Sequence, residues 1–210
     1  MNDTSSSFSS SSFTDAERNF MRLALRLAET AHERWEVPVG CVFVDGETNE
    51  VISCGQNETN ETRNGTRHAE FVALENALKK KKKKMDEEEE ETKLFFFPAK
   101  QLDVYVTCEP CVMCAAMLGQ LPCERVKVTF GCANDKFGGG GTCLSVHEME
   151  GMPSCLGSSS SSSSSFSKAY ECVGGLYRDE AVELFQRFYV RGNPKAPVPH
   201  REVKEYPRKS

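Results

Sequence analysis

The chain has 210 residues and a formal net charge of -5 at pH 7. This length favours a single domain with its own core, and the acidic balance argues against a protein that binds nucleic acid through bulk positive charge alone. The N-terminal region lacks the basic segment and apolar run of a secretory signal, and no stretch is apolar for long enough to span a bilayer. We therefore expect an intracellular protein without a membrane partner, located in the nucleus, the cytoplasm or both. In that compartment ten cysteines favour metal binding or catalysis over a framework of disulfides.

The N-terminal part of the chain predicts a helix followed by a hairpin. Residues 1–13 are rich in serine and are predicted to form a disordered tail. Thr14, with Glu17 three residues later, is typical of a helix start, and apolar residues then recur at helical spacing. Two apolar segments, at 40–44 and 51–55, flank an Asp-Gly turn and predict a pair of antiparallel strands.

The middle of the chain alternates between helices and strands. A polar loop leads into a second helix, whose predicted inner positions are Ala69, Val72, Ala73 and Leu78. This helix runs into a block of lysines followed by a block of acids, and we expect a solvated insertion at about 79–100. Beyond it, a strand is predicted at 102–106, a helix from about Pro110 and another strand at 126–130.

The C-terminal part contains a second insertion, a helix and a basic tail. A serine run marks an insertion at about 152–168. Residues 179–191 predict a last helix, with one apolar side formed by Ala181, Leu184, Phe185 and Phe188. The predicted organisation is a single domain over residues 14–197 and a basic tail over 198–210. An initial hairpin followed by alternating strands and helices indicates a three-layer α/β domain with a mixed sheet, in which one strand is not yet located.

Three thiols stand close together in the segment CEPCVMC, at 108–114. Proline is tolerated in the first turn of a helix and pushes the preceding residue into extended geometry. We therefore expect the helix to begin at about Pro110 and Cys108 to remain on the strand. Cys111 and Cys114 then lie one above the other on the first turn, where the helix dipole and unpaired N–H groups favour the thiolate form that binds zinc.

A zinc ion bound by these two thiolates needs further ligands, and the chain has four histidines. His68 is the candidate that comes with its own chemistry, because Glu70 follows in the segment RHAE. A structural site favours four protein ligands, usually from two pairs of cysteines, and no second pair is apparent. Two cysteines and one histidine with a fourth position open to water are typical of a catalytic site, in which Glu70 takes the proton of the water and returns it to a leaving group.

The combination of H-x-E with P-C-x-x-C is the signature of zinc-dependent nucleobase deaminases. HAE at 68–70 and PCVMC at 110–114 both open predicted helices. With these motifs in place, the chain resembles the tRNA-specific adenosine deaminases, and among them the eukaryotic catalytic subunit 2. The resemblance is widest in four segments, at 37–44, 60–70, 108–118 and 130–139. The catalytic motifs alone also fit cytidine, deoxycytidylate and guanine deaminases, and the longer matches, CANDKFGG above all, narrow the family.

The resemblance implies a cytidine deaminase-like fold, with a mixed five-stranded sheet flanked by helices. The activity it implies is the hydrolytic conversion of adenosine to inosine at the wobble position (34) of tRNA anticodons. In that scheme His68, Cys111 and Cys114 bind Zn2+, which activates the water that attacks C6 of the flipped-out adenine. Glu70 then passes the proton to N1 and to the departing ammonia. The implied partners are tRNA and a catalytically degenerate deaminase subunit 3, with which the chain forms a heterodimer.

Contacts to the nucleotide and to the RNA are predicted in three places. By the same resemblance, Asn57 hydrogen-bonds the nucleotide, and Val39 and the Ala69 backbone N–H line the base pocket. Residues 187–210 carry seven lysines and arginines against two acids, which suits a tail that contacts the phosphate backbone. Phe137 offers a stacking surface near the site. The predicted RNA-binding residues are Lys136, Arg191, Arg201, Lys204, Arg208 and Lys209.

Two other functions remain open from the sequence. A cytidine or deoxycytidylate deaminase that acts on free nucleosides or nucleotides shares the zinc motifs. A non-catalytic zinc-binding RNA module shares the metal ligands but has no use for Glu70. Formation of inosine in tRNA anticodons, without turnover of cytidine, separates an adenosine deaminase from both.

Overall fold

The computed structural model of the protein describes residues 13–85, 97–149 and 169–191. The five strands are β1 (Gly40–Asp45), β2 (Val51–Gln56), β3 (Gln101–Cys108), β4 (Arg125–Cys132) and β5 (Glu171–Gly174). The α-helices are α1 (Asp15–Glu33), α2 (Thr59–Thr62), α3 (Ala69–Met85), α4 (Val112–Leu118) and α5 (Arg178–Val190). A short 3-10 helix covers Val146–Glu148. None of the helices among the described residues is long and apolar enough to cross a membrane.

The strands form one mixed sheet in the order β2-β1-β3-β4-β5. β1 pairs antiparallel with both β2 and β3, whereas β3, β4 and β5 are mutually parallel. The antiparallel hairpin β1-β2 and the mixed character of the sheet follow the prediction. The strand that the sequence does not locate is β5, at the edge of the sheet beside β4.

Helices cover both faces of the sheet, so the domain has three layers. Because side chains alternate along a strand, Phe43 packs in a cluster with residues of α3 and α4, and the adjacent Val42 and Val44 pack in another with residues of α1. α5 contacts α1 and β4, which places it on the α1 side. The predicted three-layer α/β architecture is confirmed.

Two glycines allow helices to approach the sheet closely. A Cβ atom on Gly40 of β1 would lie 2.1 Å from the carbonyl oxygen of Ala24 in α1. A Cβ atom on Gly55 of β2 would lie 2.2 Å from the carbonyl oxygen of Ala69, the first residue of α3. The absence of a side chain at Gly55 therefore determines how closely the N-terminus of α3 lies against the sheet.

The helix predictions hold in outline and differ in detail. Thr14 and Glu17 form the predicted capping box, in which the Glu17 N–H donates to Thr14 Oγ1 and the Thr14 N–H donates to Glu17 Oε2. Leu78 is wrong as an inner position of α3, because it is 48% exposed and Ala77 is buried instead. The polar loop before α3 also contains the short helix α2, which the sequence does not predict.

Several predicted segments lie outside the described residues. They are the serine-rich tail except for residue 13, the insertion at 152–168, the basic tail at 198–210 and residues 86–96, which are half of the insertion at 79–100. Of the last of these, the α3 backbone continues to Met85. The organisation as one domain with two insertions stays a prediction.

Candidate metal centre and active site

The candidate site lies at the carboxyl end of β3, between the N-termini of two helices. β3 ends at Cys108, α4 begins at Val112 and α3 begins at Ala69. Parallel strands β3 and β4 end side by side here, with Cys108 paired to Cys132. In open α/β sheets, ligands bind in the crevice beyond the carboxyl ends of the strands.

The three predicted metal ligands meet at this point. His68 Nδ1 lies 3.5 Å from the Sγ atoms of both Cys111 and Cys114, and the two sulfurs are 3.6 Å apart. With Zn–S bonds of about 2.3 Å and Zn–N bonds of about 2.1 Å, a tetrahedral ion separates two sulfur ligands by about 3.8 Å and a sulfur from a nitrogen by about 3.6 Å. The spacing and the soft donor set of these residues therefore fit zinc.

Helix α4 begins later than the proline predicts. Cys111 is its N-cap, with ψ of 166°, and Val112 is the first helical residue. The predicted start at about Pro110 is wrong because Cys111 forms a β-bridge with Gly138, which keeps its backbone extended. The Cys111 carbonyl still accepts the Ala115 N–H at 2.8 Å, and both thiols remain on the first turn. Cys108 stays on the strand, as predicted.

The two thiols are electrostatically unequal. The hydrogen bond from Cys114, together with His68, lowers the pKa of Cys111 to about 4. The hydrogen bond to Cys111, burial and nearby Glu70 raise the pKa of Cys114. The Cys111 sulfur also raises the pKa of His68. One thiolate is therefore present at neutral pH, and a bound dication is the charge that favours the second.

Glu70 lies beside the three ligands and is almost completely buried. It is the second residue of α3 and is 3% exposed. Burial, with a contribution from the Cys111 thiolate, raises the pKa of the Glu70 carboxyl, which hydrogen-bonds the Cys114 thiol. A carboxyl group whose pKa is raised in this way is suited to accept and return a proton near neutral pH.

The three predicted substrate-binding residues are connected to one another. The Asn57 N–H donates to the Val39 carbonyl at 3.2 Å, and the Ala69 N–H donates to Asn57 Oδ1 at 2.9 Å. Because Ala69 stands between His68 and Glu70, this chain of bonds adjoins the candidate metal centre. The Ala69 N–H is used within the protein here, and binding of a base by these residues stays a prediction.

The predicted RNA-binding residues are only partly described. Lys136 is exposed on the loop after β4. The Arg191 guanidinium lies 3.8 Å from the ring centroid of Trp35 and donates to the His32 carbonyl, so this residue makes contacts inside the protein. Arg201, Lys204, Arg208 and Lys209 lie outside the described residues. RNA binding by all six stays a prediction.

Two buried carboxylates, those of Glu36 and Glu109, have no role among the sequence-based predictions. Glu36 accepts hydrogen bonds from the Thr59 hydroxyl and from the Asn60 and Glu61 N–H groups, at 3.1, 3.0 and 2.7 Å. It therefore caps α2 and fixes the segment between Asn57 and His68. A signal is present in the sequence, since both acids stand in largely apolar segments close to a proline.

The Glu36→Ala variant is expected to be less stable than the wild type by about 2 kcal/mol, because two backbone N–H groups and a hydroxyl lose their acceptor. Urea denaturation measures the difference. Glu33→Ala, at the exposed last residue of α1, is the matched control and is expected to change stability by less than about 0.5 kcal/mol. Equal stability of the two variants would contradict the role given to Glu36.

Comparison with known proteins identifies the family. The sequence model of the cytidine and deoxycytidylate deaminase zinc-binding region matches residues 14–130, which is more than half of the chain. The chain belongs to this deaminase family. The enzyme class predicted from the motifs, a deaminase, is confirmed.

Two curated relatives carry a more specific name. The deaminase is 40% identical over 188 residues to tRNA-specific adenosine deaminase 2 of Danio rerio, covering 89% of this chain and 77% of that one. It is 40% identical over 202 residues to tRNA-specific adenosine deaminase subunit tad2 of Schizosaccharomyces pombe, covering 95% of this chain. The chain spans only 43% of the length of the fission yeast relative. The predicted relationship to the tRNA-specific adenosine deaminases is confirmed.

A solved structure supports the same conclusion for the fold. It comes from a study of tRNA:A34 deaminases that edit A to I at the wobble position of transfer RNA. The two chains are 29% identical with a TM-score of 0.56, over 79% of this deaminase and 98% of that chain. The predicted cytidine deaminase-like fold, with its mixed five-stranded sheet, is confirmed.

Proposed function

We propose that the chain is the catalytic subunit of a tRNA adenosine deaminase, which converts adenosine to inosine at wobble position 34 of anticodons. The observation that carries this proposal is the combination of His68, Cys111 and Cys114 at zinc-ligand spacing with a buried Glu70 beside them. Relatives at 40% identity named tRNA-specific adenosine deaminase 2 support the choice of substrate.

We propose Zn2+ as the cofactor, bound by those three side chains. Catalytic zinc sites use three protein ligands and leave a position for water, whereas structural sites use four. When bound, zinc supplies Lewis-acid activation of that water. Proton transfer and binding of the base are the tasks of the residues around the zinc ligands.

Glu70 moves the proton in the proposed reaction. Hydrolysis consumes one water, breaks the bond between C6 and the exocyclic nitrogen of adenine and releases ammonia, so one of the two protons of the water ends on N1 and the other on the departing amine. Glu70 accepts the first proton from the water and gives it to N1, and then passes the second, from the hydroxyl group formed at C6, to the departing amine. Its raised pKa suits both halves of this task.

Asn57, Val39 and Ala69 form the proposed wall of the base pocket. Since Asn57 Oδ1 already accepts the Ala69 N–H, the side-chain orientation is determined and Nδ2 is the atom that donates to an acceptor on the purine ring. Val39 is partly buried and offers apolar contact to the ring. The Ala69 N–H then acts on the base indirectly, by orienting Asn57.

The proposed partners are tRNA and a second, catalytically degenerate deaminase subunit. tRNA is a polyanion, and a chain of net charge -5 gains from a partner that shares the contacts to phosphate. We also propose that the protein is found where tRNA is processed, in the nucleus, the cytoplasm or both.

Substrate discrimination tests this function against its rival. The chain is co-expressed with the second subunit and incubated with a tRNA transcript that has A34, with the same transcript carrying G34, and separately with cytidine and deoxycytidylate. We expect inosine only from the A34 transcript. Uridine formation from cytidine without inosine would favour the free-nucleoside alternative, and no turnover of any substrate by a zinc-loaded pair would favour the non-catalytic module.

Removing residues 201–210 is expected to weaken tRNA binding and to make its dependence on salt shallower. The deletion removes Arg201, Lys204, Arg208 and Lys209. If each of these contacts one phosphate, the slope of log K against log salt falls by about 3. Binding titrations at several salt concentrations measure it, with Glu202→Gln plus Glu205→Gln as a control that keeps the four cations. If the deletion variant keeps its zinc and binds tRNA as tightly as the wild type, the proposed role of the tail is refuted.

A further inference from the structure

A second buried carboxylate lies between the end of β3 and the metal ligand Cys111. Glu109 is 1% exposed. Its Oε2 atom accepts the Asn134 N–H at 2.9 Å, and its Oε1 atom accepts the N–H groups of Gly140 at 2.9 Å and Thr142 at 3.0 Å. Residues 134–142, here called the 134–142 loop, thus turn around one side chain that is not part of the proposed chemistry.

The 134–142 loop encloses this carboxylate so closely that side chains are excluded at one position. A Cβ atom on Gly138 would lie 2.6 Å from both oxygens of Glu109 and 2.7 Å from the Asn134 carbonyl oxygen. These distances are far below van der Waals contact. The Glu109 carboxylate therefore occupies the space that a side chain at position 138 would need. A change at either residue is expected to displace the loop.

The same loop is bonded to the backbone on both sides of Cys111. The Val112 N–H donates to the Phe137 carbonyl at 2.9 Å, and the Gly139 N–H donates to the Pro110 carbonyl at 2.8 Å. The loop is therefore hydrogen-bonded both to the Glu109 carboxylate that it surrounds and to the backbone of the segment 110–112. The loop therefore has a defined position relative to the candidate metal centre.

The side chain that this loop exposes is aromatic. Phe137 is 66% exposed, although its N–H donates to Asn134 Oδ1 at 3.1 Å and its carbonyl is bonded to Val112. An exposed ring on a well-bonded backbone loses little conformational entropy when it binds. Exposed aromatic rings beside a cationic residue, here Lys136, are the surfaces on which unpaired bases stack.

We propose that Glu109 is a positioning residue, which holds the 134–142 loop against the segment that carries Cys111 and so presents Phe137 to a base next to the target adenosine. This inference rests on the proposed tRNA deaminase function. The Glu109 carboxylate accepts its hydrogen bonds from the backbone of the 134–142 loop, so we expect its effect on substrate binding and not on the chemical step.

The Glu109→Gln variant tests the positioning role. Glutamine keeps the size of the side chain but offers one oxygen in place of two, so the loop loses at least one acceptor. Hydrogen exchange at the amides of Asn134, Gly140 and Thr142 is expected to become at least tenfold faster. For the co-expressed pair acting on the A34 transcript, KM is expected to rise about tenfold, while kcat and zinc content change less than threefold.

Glu50→Gln is the matched control, since Glu50 is exposed in the β1-β2 turn at the opposite end of the sheet. It is expected to leave exchange, KM and zinc content unchanged. Gly138→Ala displaces the loop without altering any charge, and the same rise in KM with zinc retained is expected. Unchanged KM in both loop variants despite faster exchange, or loss of zinc from Glu109→Gln, would overturn the proposal.

Phe137 variants test what the loop presents. Phe137→Ala is expected to raise KM about tenfold, and Phe137→Tyr, which keeps a stacking ring, to restore it. Weaker association with the second subunit in Phe137→Ala, with KM unchanged at saturating partner, would show a protein contact instead and overturn this part. If the wild-type pair does not deaminate tRNA at all, the function fails, whereas the exchange measurement still decides whether Glu109 positions the loop.

Discussion

Replacing Glu70 by glutamine is expected to lower kcat for tRNA deamination by about a thousandfold. The amide has nearly the shape of the carboxyl group but cannot accept the proton of the water or return it to the base. Because Glu70 is not one of the three clustered ligands, the variant is expected to keep its zinc and its tRNA affinity. Single-turnover kinetics with a saturating partner subunit, together with metal analysis, measure all three quantities.

The control for this experiment is another glutamate of the same helix. Glu75 lies on α3, and its carboxylate forms ion pairs with Arg67 and Lys79 and is not one of the clustered metal-binding groups. Glu75→Gln is expected to retain activity. Undiminished deamination by Glu70→Gln would remove the basis for assigning an enzymatic role to this carboxyl.

Loss of a metal ligand is expected to abolish both zinc binding and activity. In Cys111→Ala or His68→Ala only two of the three clustered donors remain, which is too few for a stable zinc site in a protein. Zinc per chain is expected to fall well below one equivalent, and activity to fall to background. Atomic absorption on the purified pair and the inosine assay measure the two losses.

Cys108→Ala provides the matched control, because Cys108 is a thiol of the same CEPCVMC segment. Cys108 pairs with Cys132 in the neighbouring strand, and the hydrogen bond to Cys132 and burial raise the pKa of its thiol. It is therefore a poor ligand, and the variant is expected to keep zinc and activity. Loss of zinc from Cys108→Ala and not from Cys111→Ala would contradict the assignment of Cys111 as a zinc ligand and of Cys108 as a thiol that does not bind zinc.

Much of the candidate site is predictable because its residues are adjacent in sequence to the elements that position them. His68 and Glu70 stand at the start of α3, and Cys111 and Cys114 on the first turn of α4. Local rules for helix starts therefore bring these side chains near their final positions. The two helix starts are connected in the chain by a single strand, β3, whose carboxyl end lies at the candidate site.

What the sequence does not reveal depends on contacts between distant segments. The start of α4 is delayed because Gly138 pairs with Cys111, which no pattern within CEPCVMC indicates. Glu36 and Glu109 receive their hydrogen bonds from residues more than twenty positions away. Leu78 and Ala77 both fit a helical period, and only the packing of α3 on the sheet decides which of them is buried.

The central claim is that the site formed by His68, Cys111, Cys114 and Glu70 makes inosine in tRNA. Its most direct test is to deplete the protein in cells that depend on it, re-express wild-type or Glu70→Gln chains, and sequence the tRNA anticodons. We predict that position 34 changes from inosine to adenosine on depletion, that the wild type restores inosine, and that Glu70→Gln does not. Inosine that persists on depletion, or that Glu70→Gln restores fully, would contradict this account.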